Sequence, residues 1–316
     1  MTSARPPHLG LHQFHGVWSR ALPPALTVEP GGVITLSVRE ASGGQLHPES
    51  TPGDVAQLDF SRVNPVTGPV AIVGAEPGDA LVVDILAVDV QPWGWTASIP
   101  GFGLLAKDFP EPHLRISRIA DRCAELLPGI RVPLCPFIGT IGVAPAEPGD
   151  HSIVPPRRVG GNMDIRHLTP GSRLVLPVAV PGALLSLGDT HAAQGDGEVC
   201  GTAIEAGAEV ALRVGLWKGA APAFPWLETH PVAARPGRAL ATTGIGPDLL
   251  EAAQAATRGM IDQLTRTWHL DPSDAYLLCS VAGDLKISEV VDSPHWVVSM
   301  HLERDLLQGG RAANPF

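Results

Sequence analysis

The densest group of polar side chains in this chain lies between residues 188 and 201. Asp189 and His191 are separated by one residue, so in an extended strand their side chains project from the same face. This spacing can supply an oxygen and an imidazole ligand to one metal ion. Two glycines later in the segment allow a bend that returns Asp196 and Glu198 towards the same space. The spacing therefore favours a metal or catalytic site, with a solvated acidic turn as the alternative.

A second group of polar side chains follows a pair of glycines. Asn162 and Asp164 share one face of an extended chain, and the glycines before them let the backbone approach a ligand closely. Nearer the N-terminus, His15 lies in a histidine-rich segment and Gln45 ends a glycine-rich loop. We interpret Asn162, Gln194, His15 and Gln45 as candidate substrate-binding residues. A simple turn, or a structural histidine, is the alternative for each.

Short strands between turn signals must position these side chains. Glycine turns recur directly before runs of β-branched and aliphatic residues, which is typical of strands joined by hairpins. The pattern predicts a mainly β protein whose body is an antiparallel sandwich or is barrel-like. The clearest predicted strands are Val33–Val38, Ala80–Val90, Arg173–Val180 and Ala208–Leu216.

One region has the periodicity of helices. From Asp248 to Trp268, apolar residues recur every three or four positions, and a shorter apolar helix is predicted from Asp274. These segments predict a C-terminal helical hairpin near residues 248–281, followed by a strand from 285 to 291. This hairpin is the minor α part of the fold. We expect a single domain over residues 1–316, with two intimately joined β halves as the alternative.

Composition and charge exclude several classes of protein. The chain has 316 residues and a formal net charge of −10, from 22 Lys and Arg against 32 Asp and Glu, whereas nucleic-acid-binding surfaces are basic. The longest apolar stretch, at residues 174–187, contains two prolines and is shorter than the roughly twenty residues of a membrane helix. No apolar signal segment is visible near the first residue. We expect a cytoplasmic protein that binds neither nucleic acid nor membranes.

Two sequence strings resemble a known family. They are Gly160-Gly-Asn-Met-Asp164 and Gly188-Asp-x-His-Ala-x-Gln-Gly-Asp-Gly-Glu198, and shorter segments at 15–18, 41–45, 64–69 and 139–145 agree. On these residues the chain is similar to the acetamidase/formamidase family from about residue 10 to residue 300. The length resembles that of the shorter bacterial members, because the extensions of the longer formamidases are absent.

The resemblance implies a function as well as a fold. It implies a mainly β enzyme that hydrolyses a short aliphatic amide, formamide or acetamide, to a carboxylate and ammonia. It also implies a homo-oligomer and a divalent metal. Zinc is the first choice of metal, and calcium or manganese stays open. Because such substrates offer little apolar area, a modest pocket is expected.

The residues agree with metal-assisted hydrolysis. An amide carbonyl is a poor electrophile, and a metal can polarise it or acidify a water molecule. Catalytic zinc takes about three protein ligands, a requirement that Asp164, Asp189 and His191 would meet. Glu198 is then the candidate proton carrier, and Asp196 is its nearest competitor.

Two other interpretations stay open at this point. Cys200 lies two residues after Glu198 and could act as a nucleophile in a covalent amidase, although a buried cysteine is usually only a small apolar residue. The second alternative is a metal-binding or ligand-binding β protein without turnover, since sandwich folds host many such modules.

Overall fold

Strands form most of the structure, a computed structural model that describes residues 5–231 and 237–307. In chain order the strands are β1 (His8–Leu9), β2 (Phe14–His15), β3 (Val17–Trp18), β4 (Leu26–Val28), β5 (Val33–Val38), β6 (Val66–Ile72), β7 (Ala80–Val90), β8 (Trp93–Ser98), β9 (His113–Ala120), β10 (Cys123–Leu127), β11 (Ile130–Pro133), β12 (Phe137–Gly142), β13 (His151–Ser152), β14 (Gly160–Asn162), β15 (Arg173–Pro177), β16 (Leu185–His191), β17 (Ala208–Trp217), β18 (Trp226–Glu228), β19 (Ala239–Gly246), β20 (Gly283–Glu289) and β21 (Trp296–Glu303). The helices are α1 (Pro52–Val55), α2 (Leu249–Trp268) and α3 (Pro272–Ala282), and a 3₁₀ turn spans Arg304–Leu307.

Two large sheets carry most of these strands. Within the described residues, one sheet has nine strands in the order β1-β5-β17-β7-β15-β18-β19-β21-β20, and another has the path β14-β12-β16-β6-β2. Smaller sheets pair β11-β10-β9-β8 and β13-β3. Antiparallel pairing prevails, as predicted; β1 with β5 and β4 with β6 are parallel pairs.

The nine-stranded sheet is covered on both faces. Leu81 of β7 belongs to a buried cluster that also contains Phe137 of β12, whereas Val82, the next residue, packs in a cluster with Met260 of α2. Because successive side chains of a strand point to opposite faces, β7 is apolar almost throughout. The fold therefore has three layers: the helices, the nine-stranded sheet, and the second large sheet, which contains β12. Burial of each large aliphatic side chain in such layers contributes about 1.5–3 kcal/mol.

The predicted helical hairpin is confirmed. Asp248 precedes α2, and its side chain accepts a hydrogen bond from the backbone N–H of Glu251. The helix ends at His269, whose φ of 57° is left-handed, and Asp271 then caps α3. None of the helices in the described ranges is long and apolar enough to cross a bilayer. The mainly β fold class predicted from the turn and strand pattern is confirmed as well.

Candidate active site

One pocket gathers an unusual number of acidic side chains. The second sheet contributes Asp189 from β16, and the connection from β16 to β17 contributes two glutamates. The carboxylates that line the pocket are Asp164, Asp189, Glu198, Glu205 and Asp292, and all five are buried. Buried carboxylates of like charge repel one another, so this arrangement needs a counter-charge or protons.

His191 lies at the centre of this group. Its Nε2 atom is 3.2 Å from Oδ1 of Asp189 and 3.0 Å from Oε2 of Glu205. On the other side of the ring, Nδ1 is 2.9 Å from Oε1 of Gln194, whose Nε2 donates to the backbone carbonyl of Asp164 at 2.9 Å. Because Gln194 presents its oxygen to Nδ1, the hydrogen-bond network assigns the proton of neutral His191 to Nδ1. The lone pair of Nε2 then faces two carboxylates.

Several buried atoms of this group lack a hydrogen-bond partner within the described residues. They are both carboxylate oxygens of Asp164, Oε2 of Glu205 and Nε2 of His191. Unpaired buried acceptors cost about 1–3 kcal/mol each, and more when charged. Two sets of three side chains have ligand atoms within 4.8 Å of one another: Asp164, His191 and Glu198, and Asp189, His191 and Glu205. The donor set therefore fits a divalent cation.

Burial and mutual repulsion shift the ionisation of this group. Burial raises the pKa of Asp164 well above its usual value, and the neighbouring Asp189 raises it further. Burial, with the nearby Asp164, likewise raises the pKa of Glu198, and burial raises the pKa of Glu205 to about 7. Burial by itself lowers the pKa of His191, but the charges of Glu205 and Asp189 raise it well above its usual value. Without a cation, the carboxylates must therefore bind protons, which reduce the repulsion between them.

Four residues of the pocket have left-handed backbone conformations, which non-glycine residues rarely adopt. The φ angles are 51° for Asn64, 45° for Asp164, 53° for Asp189 and 46° for Glu198. Each such residue costs on the order of 1–3 kcal/mol and persists only where the surrounding structure imposes it. Such residues cluster at functional sites, which supports a functional role for this pocket.

Gly139 of β12 makes room for the carboxylates. A Cβ atom on this residue would lie 2.4 Å from Oδ1 of Asp164 and 2.8 Å from Oδ2 of Asp189. Real Cβ contacts are not this short, and the obstacles belong to buried side chains. A glycine is therefore required at the point where the two carboxylates approach each other.

An amide network orients another part of the pocket. Asn162 donates through Nδ2 to Oδ2 of Asp292 at 2.5 Å, and its Oδ1 accepts from Nδ2 of Asn64 at 3.0 Å. Thr140 also donates to Oδ1 of Asn162. Behind Asp292, Oε1 of Glu289 accepts the backbone N–H of Asp292 at 2.5 Å. These bonds fix which atom each amide presents to the pocket.

The structure brings most of the predicted site residues together and separates others. Asn162, Asp164, Asp189 and Glu198 line the pocket, and His191 and Gln194 lie against it, as the contacts above show. The following three residues are not in the pocket lining: Asp196, His15 and Gln45.

Each of these three residues has another environment. Asp196 is exposed to solvent. The ring of His15 is half-buried, with Nε2 2.8 Å from Oγ of Ser186 and Nδ1 2.8 Å from the carbonyl of Val17. The amide of Gln45 joins two loops, since it donates to the carbonyl of Ser42 and accepts the N–H of Asp59.

Sequence reasoning missed two of the five carboxylates. Glu205 follows the apolar dipeptide Ala203-Ile204, and Asp292 follows Val290-Val291. A single acid in an apolar segment is the signal that could have identified both, because burial of an unpaired charge is costly.

Part of the pocket lining is apolar. Its upper lining consists of aliphatic and aromatic side chains: Leu58, Phe60, Val63, Ile99, Phe102 and Val154. Most of these side chains come from loops that are remote in the chain from the polar strings.

Comparison with known proteins agrees with the architecture. The model of the Acetamidase/Formamidase family matches residues 3–152 and 146–308. The chain is 31% identical to an acetamidase of Mycolicibacterium smegmatis, over 70% of this chain and 69% of the relative. It is 34% identical to a formamidase of Methylophilus methylotrophus, over 65% of this chain and 64% of the relative. The match therefore spans about two thirds of the length of these curated relatives.

A solved structure shows the same fold. The acetamidase of Bacillus halodurans superimposes with a TM-score of 0.89 at 30% sequence identity, covering 96% of this chain and 100% of that one. The family model accounts for nearly all described residues, including the pocket and His191. The chain belongs to the acetamidase/formamidase family of amidases.

Proposed function

We propose that this chain hydrolyses a linear amide, of the class that includes formamide and acetamide, to a carboxylate and ammonia at a metal-assisted site. The observation that carries the proposal is the convergence of carboxylate oxygens of Asp189 and Glu205 on Nε2 of His191, next to the unpaired carboxylate of Asp164. The names of the relatives, acetamidase and formamidase, support the same reaction.

The residues that would hold the cation are His191, Asp189 and Glu205, with Asp164 facing the same space. One imidazole and two or three carboxylates suit zinc, whereas calcium prefers oxygen ligands alone. Zinc is therefore the first choice, and manganese accepts the same donors. When bound, the cation supplies Lewis acidity, which polarises the amide carbonyl and acidifies water.

The remaining side chains transfer protons, bind the substrate and orient His191. Glu198 takes the proton of the attacking water and returns it to the amine that leaves, a role that contributes about 10²–10⁴-fold in rate. Asn162, held by Asp292 and Asn64, presents its amide to the bound substrate. Gln194 acts as a positioning residue, because it accepts from Nδ1 of His191 and so directs Nε2 towards the ligand carboxylates.

The environment of Cys200 supports packing rather than nucleophilic catalysis. Its Sγ lies 3.3 Å from the backbone carbonyl of Thr202, to which the thiol donates, and it does not line the pocket. A cysteine nucleophile needs an adjacent base and access to the substrate. The covalent alternative therefore receives no support from this geometry.

The proposal includes the setting in which the enzyme works. A net charge of −10 supports a small neutral amide, rather than nucleic acid, as the partner. The cytoplasmic location and the homo-oligomeric state stay predictions from the sequence.

Ammonia release from a panel of linear amides tests the proposal. We expect activity in the protein as purified, loss of activity on dialysis against a chelator, and recovery with zinc. The metal content is measured on the same samples. A protein that carries stoichiometric metal but releases no ammonia would instead be the binding module considered above. Full activity after removal of the metal would exclude the metal-assisted mechanism.

A further inference from the structure

We propose that Glu40 is a positioning residue of the active site, which acts through the indole ring of Trp95 on the placement of Glu205. The inference rests on the proposed role of Glu205 as a metal ligand. It assigns a task to a buried carboxylate that the proposed mechanism does not use. Glu40 itself is not in the pocket lining, so it acts on the site through its neighbours.

Glu40 is a buried carboxylate surrounded by hydrogen-bond donors. Its side chain is 5% exposed. Oε2 accepts the backbone N–H of Ser42 and the indole N–H of Trp95, each at 2.7 Å. Oε1 accepts the hydroxyl of Ser42 at 2.7 Å and the N–H of Gly44 at 2.6 Å. Three of these donors are N–H groups, which cannot act as acceptors, so the position requires a carboxylate rather than an amide.

The hydrogen bonds of Glu40 close a loop at residues 40–46 that borders the pocket. Ser42 lines the pocket, and its Oγ also accepts the N–H of Gln45 at 3.0 Å. The carbonyl of Ala41 accepts the N–H of Asn64, another residue of the lining, at 2.7 Å. The loop on which Gln45 was predicted to bind the substrate is therefore a structural border of the site, organised by Glu40.

Trp95 connects this loop to Glu205. The backbone N–H of each residue donates to the carbonyl of the other, at 2.9 Å and 2.8 Å. A Cβ on Gly94 would lie 2.6 Å from the carbonyl oxygen of Glu205, so the two segments touch as closely as backbones can. Farther along β8, the N–H and the carbonyl of Ala97 both bond to Oγ of Thr202 at 2.9 Å. The strand β8 thus fixes the backbone from which the Glu205 side chain emerges.

The carboxylate of Glu205 has one oxygen left for the site. Oε1 accepts the N–H of Ala203 at 2.7 Å, and Oε2 lies 3.0 Å from Nε2 of His191. Supporting contacts of this kind hold a metal site within about 0.5 Å of its productive geometry. Because Trp95 bonds to Glu40 through its ring and to Glu205 through its backbone, loss of the ring contact should displace the ligand oxygen.

A double-mutant cycle on zinc affinity tests the inference. Glu40→Gln keeps the size of the side chain but turns an NH₂ group towards at least one N–H donor, and Trp95→Phe removes the indole N–H. Isothermal titration calorimetry on the chelator-treated protein measures the Kd for zinc. We expect each single variant to bind about ten-fold more weakly. The double variant should also be about ten-fold weaker rather than about a hundred-fold, because both changes remove the same bond.

Matched substitutions separate positioning from a general loss of stability. Trp93→Phe changes a half-buried indole of the same strand that is outside the pocket lining. Asp79→Asn makes the same carboxylate-to-amide change at a residue that is 3% exposed and accepts the N–H groups of Glu76 and Gly219. We expect neither variant to change the Kd for zinc, and melting temperatures show which variants fold. Should Glu40→Gln fail to fold, the comparison of Trp95→Phe with Trp93→Phe decides alone.

Three results would overturn the inference. The first is an unchanged Kd for zinc in folded Glu40→Gln or Trp95→Phe, and the second is an equal loss of affinity in the control variants. The third is a double variant about a hundred-fold weaker than the unsubstituted chain, because additive losses show that Glu40 and Trp95 act separately. An unsubstituted chain that binds no zinc would reject the proposed metal site itself, and this inference with it.

Discussion

Oε1 of Gln194 lies 2.9 Å from Nδ1 of His191, and this contact decides which nitrogen of the imidazole is available to a ligand. The other amide atom of Gln194 is occupied by the carbonyl of Asp164, so the side chain cannot exchange its oxygen and nitrogen without loss of a bond. An uncharged residue thus sets the tautomer of the central histidine.

Gln194→Leu should weaken metal binding, because the ring of His191 loses its acceptor at Nδ1. Loss of such a partner typically costs about 10–100-fold in metal affinity. Isothermal titration calorimetry with zinc measures the change in metal affinity. Gln194→Glu retains an acceptor and should recover most of the affinity; equal weakening in both variants would show that Gln194 acts through packing.

Gly139→Ala should disrupt the site, since the new Cβ would lie 2.4 Å from Oδ1 of Asp164. Overpacking of this kind costs about 1–3 kcal/mol in the free energy of unfolding. Gly246→Ala is the matched control, because a Cβ there meets nothing within 4 Å. Chemical denaturation measures the loss in the free energy of unfolding, and analysis of bound metal measures the damage to the site. A Gly139→Ala protein with normal metal content would refute the close approach of the carboxylates.

Glu198→Gln should retain the metal and lose about 10²–10⁴-fold in kcat, as expected for a lost proton carrier. Asp196→Asn should change the rate little, because Asp196 is exposed outside the pocket. Metal content and ammonia release are measured side by side. A slow Asp196→Asn enzyme beside a fast Glu198→Gln enzyme would reverse the assignment.

Cys200→Ala should keep most of the activity, because the thiol contacts a backbone carbonyl and not the pocket. The measurement is kcat/KM for acetamide, with the melting temperature as a control for folding. An inactive variant with full metal content and an unchanged melting temperature would establish covalent catalysis instead.

The stability of the chelated protein should fall as the pH rises from about 4.5 through 7. Burial raises the pKa of Glu289 from an ordinary 4.5 to about 7, so between these values the unfolded chain releases a proton that the folded chain keeps. The carboxyls of Asp164 and Asp292 act in the same direction, because burial raises the pKa of each. Glu289→Gln should reduce the fall, as measured by thermal unfolding across this range. If the stability of the Glu289→Gln variant depended on pH in the same way as that of the unmodified chain, Glu289 would be excluded as a source of the fall.

The sequence predicts local features of the fold better than it predicts the site. The strands at 33–38 and 80–90 coincide with the observed β5 and β7, because turn signals and apolar alternation are local properties. Asp189 and His191, which the spacing placed on one face, have Oδ1 and Nε2 3.2 Å apart, although φ of Asp189 is left-handed rather than extended. Their role as metal ligands stays a prediction.

Other parts of the site depend on contacts that spacing does not record. Regular alternation places Asp196 and Glu198 on one face, but Gly197 and Glu198 have φ angles of 93° and 46°, which turn Glu198 inward and leave Asp196 outside. Asp292 enters the pocket after β20, far along the chain from the polar strings. Its hydrogen-bond partner, Asn162, can be identified only from the three-dimensional arrangement of the sheets.

The hydrogen bonds of the amide network join segments that are remote in the chain, with a sequence separation of 130 for Asn162 and Asp292 and of 98 for Asn64 and Asn162. Closure of a longer loop costs more conformational entropy, and contacts between remote segments slow folding relative to local ones. A truncated or incompletely synthesised chain that lacks β20 and the following turn therefore lacks one wall of the site. A cation held by Asp164, Asp189, His191 and Glu205 would cross-link segments of the middle third of the chain, and the amide network joins that third to Asn64 and Asp292 on either side.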